Sequence, residues 1–567
     1  MQRTHRHLIT LLTLLGILTS ALASGQFLHT QAQSPPPDPR FGVVEAFWDA
    51  STAAEAGVAW ERILFMWSEL QPHGPDDWNT LHVPDEWLQA AQAQGREVVG
   101  LLKNTPYWAT DADPPLEASP PRGLDLPIDD PGNLWAAFVR RAAAFYGSRG
   151  VHRWIIWNEP DIPAGVHGQE WMGDIEDYYR LLKVAYLAIK EVDPGARVHL
   201  AGLTFWHDRD WLRKFMAVAA ADPEAPAHGY FFDAVSLHIY FQTSTVDYIV
   251  NEARAALAAF GLSKPVWINE TNASPDADPQ WPVTRPRWRV DLREQASFIL
   301  QAYALGLAAG VERIAVYKLI DTGLPPGGEP FGLLRPDHSR RPAYSAYQLM
   351  TQHYAGARSV QLLRQPLVTQ VTLDRGERNT RVFWARTEAE VSLTVPATAA
   401  QALWIDQQGN AQTLDGSSGS FALTLPGARC ADEVLGCIIG GPTYLLVEGA
   451  PASGPVAAEP APTLTPTLAP TPTPSPTATA TPTAAATLTP TSSPTMTASA
   501  SLTLPPSATP TLTPSATPTP TAMPVPTATP PDAPGDGGWQ LGLGGLTVAL
   551  VLGAFAVWWM RRKERQT

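Results

Sequence analysis

Residues 153–160 read RWIIWNEP, and the fold is read outward from this stretch. Four apolar residues, Trp154, Ile155, Ile156 and Trp157, run without a break into Asn158-Glu159-Pro160. A short apolar run that stops at a turn signal predicts a strand buried on both faces. Pro160 has no N–H to give to a sheet, so the strand ends there. An Asn and a Glu are then presented at the C-terminal tip of a buried parallel strand, and in a β/α barrel that rim carries the chemistry. The plain alternative is that Glu159 caps the following turn.

On either side of this strand the pattern alternates. Strand-like runs fall at 41–47, 62–67, 98–102, 198–203, 232–240, 266–270 and 313–320. Helical patterns fall at 84–94, 134–146, 178–192, 211–220, 246–260, 292–309 and 343–353. Strand alternating with helix predicts a parallel sheet. Eight such strands predict an α/β fold, a (β/α)8 TIM barrel over residues 41–356. A doubly wound open sheet competes, but no G-x-G-x-x-G follows the first strand. The long Pro- and Asp-rich loop at 111–130 is expected to lie on the rim of a site.

From 357 to 450 the period changes. Short runs at 367–373, 380–386, 391–395, 402–405, 420–425 and 443–447, separated by turn residues, predict a small antiparallel β-sandwich. The chain has two cysteines, Cys430 and Cys437. No C-x-x-C pair or His cluster completes a metal site around them. A small-loop disulfide formed in an oxidising compartment is expected, with two buried thiols as the alternative.

The ends of the chain point to export and tethering. Arg3 and Arg6 precede an apolar run at 8–22, and Ala21-Leu22-Ala23 matches a cleavage signal, so 1–23 is read as a signal peptide. Residues 24–40 form a polar, Pro-rich, disordered lead-in. Residues 451–538 are a Thr/Pro/Ala tract that cannot bury enough apolar surface to fold, and they resemble an O-glycosylated stalk. Residues 539–560 are read as a transmembrane helix. Arg561, Arg562, Lys563 and Arg565 follow in a cytoplasmic tail, 561–567, which leaves the globular part outside. The expected location is therefore the cell membrane, single-pass, with the globular domains extracellular. A net charge of −14 argues against nucleic acid as a partner. Nothing in the sequence sets an oligomeric state.

Glu270 closes the run VWINE, so a second strand-tip carboxylate is expected on the same rim as Glu159. Two carboxylates across a cleft suit the cleavage of a glycosidic bond: one protonates the leaving oxygen, the other attacks the anomeric carbon or activates water. Their surroundings must push their pKa values apart. On these residues the chain resembles the clan A glycoside hydrolases, over roughly 41–356. Asn158-Glu159-Pro160 looks like the clan's acid/base motif, and Glu270 matches its nucleophile. Arg62 looks like the arginine that keeps the nucleophile ionised, and His238 and Tyr240 like its H-x-Y pair, with the Tyr hydroxyl on the nucleophile. Asn158 would bind the sugar 2-hydroxyl. Glu270-Thr271-Asn272 and the appended sandwich look most like family 39, with families 5 and 53 as neighbours.

The resemblance implies a retaining mechanism, a carbohydrate substrate and neither metal nor organic cofactor. The last strand departs from the pattern, because Tyr317 and Lys318 stand where the clan often has a Trp beneath the sugar. Lys318 is expected to pair with Asp321 or Glu329, with an acidic or phosphorylated sugar as the other option. Trp48, Trp67, Trp108, Trp206 and Trp281 fall at strand ends or loops, and two or three of them are expected to stack on ligand. The expected function is hydrolysis of O-glycosidic bonds in extracellular oligo- or polysaccharide. The alternatives are a non-catalytic cell-surface carbohydrate-binding protein on a barrel scaffold and a surface spacer.

Overall fold

The computed structural model describes residues 36–449, apart from 285–287, 326 and 432–435. The expected signal peptide, stalk, membrane span and tail lie outside the described residues. Among the described residues, no helix is long and apolar enough to cross a membrane.

Eight parallel strands close into a barrel in chain order. They are β1 (Phe41–Val44), β2 (Trp60–Met66), β3 (Glu97–Lys103), β4 (Arg153–Asn158), β5 (Arg197–Leu203), β6 (Ala234–Tyr240), β7 (Val266–Asn272) and β8 (Arg313–Val316). The ring closes where β1 pairs with β8. The strands read as near-continuous apolar runs because both faces are covered. Trp60, Leu101, Ile155, Trp267 and Ala315 pack together as one cluster, while Phe65, Trp154 and Ile156 belong to the large core that includes the helices.

The helices begin where their caps dictate. Asn133 caps Leu134–Gly147 by accepting from the Ala136 N–H. Capping boxes start Ile175–Val192 (Asp174 with Asp177) and Leu292–Ala308 (Asp291 with Glu294). The last of these is buried on nearly every face. Its inner side packs on the barrel, and a second sheet covers its outer side. Gln301 Nε2 donates to the Gly441 carbonyl at 3.0 Å, and Gln407 Nε2 to the Arg293 carbonyl at 2.8 Å.

That second sheet has six strands in the order β14-β13-β16-β11-β10-β9. These are β9 (Ser359–Arg364), β10 (Val368–Asp374), β11 (Asn379–Ala385), β13 (Gln401–Asp406), β14 (Ala411–Asp415) and β16 (Tyr444–Glu448). Strands β12 (Val391–Pro396) and β15 (Ser420–Leu425) pair separately with each other. Strands β9 and β14 escaped the sequence reading. Both are sheet edges whose residues are mostly exposed; β14 has no apolar alternation, and in β9 only Val360 and Leu362 alternate with polar residues and pack half-buried against the core. Val371, Leu373, Val382 and Trp384 share the barrel's core. Cys430 and Cys437 form a disulfide.

Two barrel strands are shorter than expected. β1 stops at Val44 because Glu45 turns into the left-handed region (φ 59°) and Ala46–Asp49 form a 3-10 turn. β8 stops at Val316, where the Tyr317–Lys318 peptide is cis.

Candidate active site

The C-terminal tip of β4 is shaped by its neighbours. Trp157 and Glu159 both have positive φ, 72° and 44°. Such backbone costs of order 1–3 kcal/mol per residue and persists only where the surroundings hold it. Here the Glu159 N–H donates to the Gly202 carbonyl at 3.0 Å, and the Trp157 indole N–H to the Glu170 carbonyl at 2.7 Å. Asp161 anchors the following loop by accepting from the Thr204 N–H (2.8 Å), the Thr204 hydroxyl (2.8 Å) and the Phe205 N–H (3.0 Å).

Across the mouth, β6 slips register between Leu237 and His238, so that His238 lies beside Glu270 of β7. His238 is buried, with Nδ1 at 2.6 Å from Glu159 Oε1 and 3.5 Å from Glu270 Oε2. Its Nε2 faces Gly202 and has no partner among the described residues. The Tyr240 hydroxyl donates to Glu270 Oε2 at 2.5 Å. The Arg62 guanidinium makes an ion pair with Glu270 Oε1. Arg62, His238, Tyr240, Glu159 and Glu270 therefore converge as the sequence predicts. Asn158 is buried beside them, and its Oδ1 is unpartnered.

These contacts drive the two carboxyls apart. Burial raises the Glu159 carboxyl, and the nearby charges of Glu270 and Glu170 add to this; His238 opposes without reversing it. Burial also works to raise Glu270, but Arg62, His238 and the Tyr240 hydroxyl outweigh it and hold Glu270 below the ordinary carboxylate range. Glu270 is thus ionised where Glu159 keeps its proton. His238 is depressed by burial but raised overall by the two carboxylates. The Tyr240 phenol, pushed far up by burial and by Glu270, stays a donor.

Glu159, His238 and Glu270 each offer a ligand atom within 4.8 Å of the others, the spacing of a small metal site. The Arg62 guanidinium already supplies the positive charge at Glu270, and His238 Nδ1 is taken up by Glu159. The donor set therefore suits proton transfer better than a cation.

The flanks differ from expectation at two residues, Lys318 and Trp67. Lys318 pairs with Glu45 of the β1 tip, at 3.5 Å, while Asp321 binds Arg341 (2.6 Å) and the N–H groups of Phe331 (2.9 Å) and Gly332 (2.7 Å). Trp67 is fully buried against Phe138 and Trp135, which removes it from the rim. Trp108 is half-buried, its indole N–H donating to the Gln71 carbonyl at 2.8 Å. Trp48 and Trp206 are 41% and 44% exposed, and Trp281 is half-buried. Tyr317 lies edge-on to Tyr240 and Phe331, with its phenol pushed by burial to about 12.

Sequence reasoning missed Glu45, Phe331, Gly202 and the Lys103–Glu170 ion pair. Phe331 and Glu170 come from loops without periodicity. Gly202 was one residue of a predicted strand, with no mark of the ring that packs against it.

No family model matches the chain. A stretch of 69 residues is 36% identical to a beta-xylosidase of Caldicellulosiruptor saccharolyticus, covering 12% of this chain and 13% of that protein. The chain thus spans only a small part of the curated relative. Among solved structures, a family 39 glycoside hydrolase from the gut symbiont Bacteroides cellulosilyticus WH2 superposes with a TM-score of 0.56 at 18% identity, covering 73% of this chain and 81% of that one. A monomeric beta-xylosidase from Caulobacter crescentus CB15 gives 0.48 at 18% identity, over 73% and 97% of the two chains. In fold, the chain resembles the clan A glycoside hydrolases, with a family 39 enzyme among its structural neighbours.

Proposed function

We propose that this chain is a retaining glycoside hydrolase acting on O-glycosidic bonds of extracellular oligo- or polysaccharide. One observation carries the reading: two carboxyls at the barrel mouth, joined through His238, are driven to opposite protonation states. Glu159, protonated, gives its proton to the leaving oxygen as Glu270 attacks the anomeric carbon and the glycosidic bond breaks. Glu159, now a carboxylate, takes a proton from water. That water attacks the anomeric carbon, and Glu270 leaves. Arg62 and Tyr240 hold Glu270 ionised and oriented. Asn158 presents its free amide to the sugar 2-hydroxyl, a bond that strengthens in the transition state.

Ligand atoms of the two carboxylates lie within 4.8 Å. So close an approach, with both carboxyls also reaching His238 Nδ1, favours double displacement over inversion, in which the two carboxyls leave room for a water between them. The expected signal peptide, stalk and span place the reaction outside the cell on a membrane-tethered protein.

The test is hydrolysis of a panel of aryl glycosides, starting with β-xylosides because the curated relative is a beta-xylosidase. Glu159→Ala and Glu270→Gly run beside the native protein. Release from one or two sugars, lost in both variants, supports the proposal. Binding of oligosaccharide with no release points to the non-catalytic alternative.

A further inference from the structure

The sandwich carries a feature that the barrel chemistry does not use. A cavity of about 570 Å³ opens between strands β13 and β14 of the six-stranded sheet and strand β15 of the separate pair. That volume lies within the range of small-molecule sites, about 300–1,000 Å³. Trp404 and Tyr444 form one wall. Their rings are stacked 4.9 Å apart with planes 10° from parallel, and Phe383 buttresses Trp404 from 6.0 Å. The pair is held by the ladder, in which Trp404 lies opposite Gln412 and Asp406 opposite Tyr444. The strands thus place an aromatic platform, an amide and a phenol on one side of the opening.

The charge of the lining selects among ligand classes. Among the described residues no Lys, Arg or His lines the cavity, and the cation that acts on Tyr444, the exposed Arg293, stands outside the lining, so an anion has no built partner there. The one carboxylate, Asp406, is consumed locally: it accepts from the Gln408 N–H (2.9 Å), the Asn410 N–H (3.0 Å) and Asn410 Nδ2 (2.9 Å). It closes the β13–β14 turn and is not poised for a cation. What faces the opening is neutral and bifunctional. Gln412 and Thr424 are exposed, and Tyr444 is half-buried, its phenol kept protonated by burial and by the nearby Asp406 charge. A purely apolar ligand would strand these polar groups. A ligand with apolar faces and a rim of hydroxyls satisfies both halves of the lining.

We infer that this cavity is a carbohydrate-binding site, separate from the barrel mouth, that takes a neutral sugar unit against the half-buried Tyr444 ring, which the buried Trp404 backs. Gln412 and the Tyr444 hydroxyl bond the ring hydroxyls. The inference stands on the sandwich alone and holds whether or not the barrel is catalytic. With a catalytic barrel, the site tethers polymer close to the cleft; with a silent one, it is still a binding site.

The test is affinity electrophoresis of the full chain in gels containing soluble xylan, hydroxyethyl cellulose, galactomannan or polygalacturonate, with aryl glycoside hydrolysis measured on the same preparations. The variants are Gln412→Ala, at an exposed position, and Tyr444→Phe, which removes one hydroxyl. Trp404→Ala removes the ring that backs Tyr444 and is included with them, although its burial puts folding at risk. Retardation by at least one neutral polymer, weakened about three- to tenfold in Gln412→Ala and Tyr444→Phe with hydrolysis unchanged, is the expected result. Three outcomes overturn the inference. One is no retardation by any neutral polymer, another is retardation equal in native and variant proteins, and the third is variant-sensitive retardation by polygalacturonate alone. Failure here with hydrolysis intact leaves the barrel proposal standing, and the converse result leaves this one standing.

Discussion

Gly202 is the most direct handle on the site, because a change there adds one methyl group and removes no catalytic side chain. A Cβ built on Gly202 lies 2.0 Å from His238 Nε2, 2.5 Å from Cδ2 and 2.7 Å from Cε1, where ordinary contact begins near 3.4 Å. In Gly202→Ala the imidazole has to retreat by more than about 1 Å or tilt away. Either movement breaks the 2.6 Å contact of Nδ1 with Glu159. Overpacking of this kind costs about 1–3 kcal/mol of stability, which a domain of this size survives. Misplacing a group at a reaction centre by about 1 Å costs on the order of 100-fold in rate. The expected result is a folded protein whose kcat on a glycoside with a poor leaving group falls about 100-fold. The loss is smaller for a dinitrophenyl glycoside, whose departure needs little proton donation. Circular dichroism and thermal melting establish that the variant folds, and His238→Asn gives the same comparison without the added methyl. An unchanged kcat and pH profile in a folded Gly202→Ala protein refutes the claim that His238 positions the Glu159 proton.

Other consequences follow from the same contacts. Activity falls on both sides of an optimum: on the acid side as Glu270, held low, takes up a proton, and on the alkaline side as Glu159, held high, loses one; a pH profile of kcat/KM reads both limbs. Tyr240→Phe removes a hydrogen bond to a charged group, worth about 1.5–3 kcal/mol, so kcat/KM drops roughly 10- to 150-fold and the acid limb moves to higher pH. Arg341→Met leaves Asp321 without its buried cation and Asp278 with Arg335 alone, and destabilises the protein by about 3–5 kcal/mol in denaturant titration. Since the arginines hold Asp278 below its ordinary range, the stability they supply is present at neutral pH and is lost as pH falls through the Asp278 pKa. Cys430→Ser opens a loop of sequence separation 7, so its cost stays near 2 kcal/mol, and chemical denaturation under oxidising conditions measures it.

The barrel was legible because a parallel strand covered on both faces must be apolar along its whole length. Stretches such as 153–157 and 266–268 cannot be solvent-facing, and a carboxylate at the end of each has only the rim to occupy. Arg62 and the His238–Tyr240 pair were reached differently, through the family resemblance rather than through the apolar pattern. That pattern did not find the edge strands β9, whose alternation is confined to Ser359–Leu362, or β14, which faces water and carries no periodic signal. It extended β1 and β8 too far, since the turn at Glu45 is set by packing and not by any glycine or proline in its place. The helix Leu292–Ala308 was seen, but its all-round burial was not, because that depends on a sheet that begins only at Ser359 and reaches the helix from as far along the chain as Gln407 and Gly441.

What the sequence determined by itself is the order of the strands and which residues stand at their ends, since both follow from local patterns of apolar and polar side chains. Only the tertiary structure decided which charges meet. Lys318 makes its ion pair with Glu45, with Asp321 acting on it only through its charge, Trp67 sinks into the core, Gly202 gives His238 its space, and the pKa values of Glu159 and Glu270 are pushed in opposite directions. Those outcomes rest on distances of a few ångströms between residues far apart in the chain, and electrostatic energies at such distances depend on burial and geometry that only the closed barrel supplies.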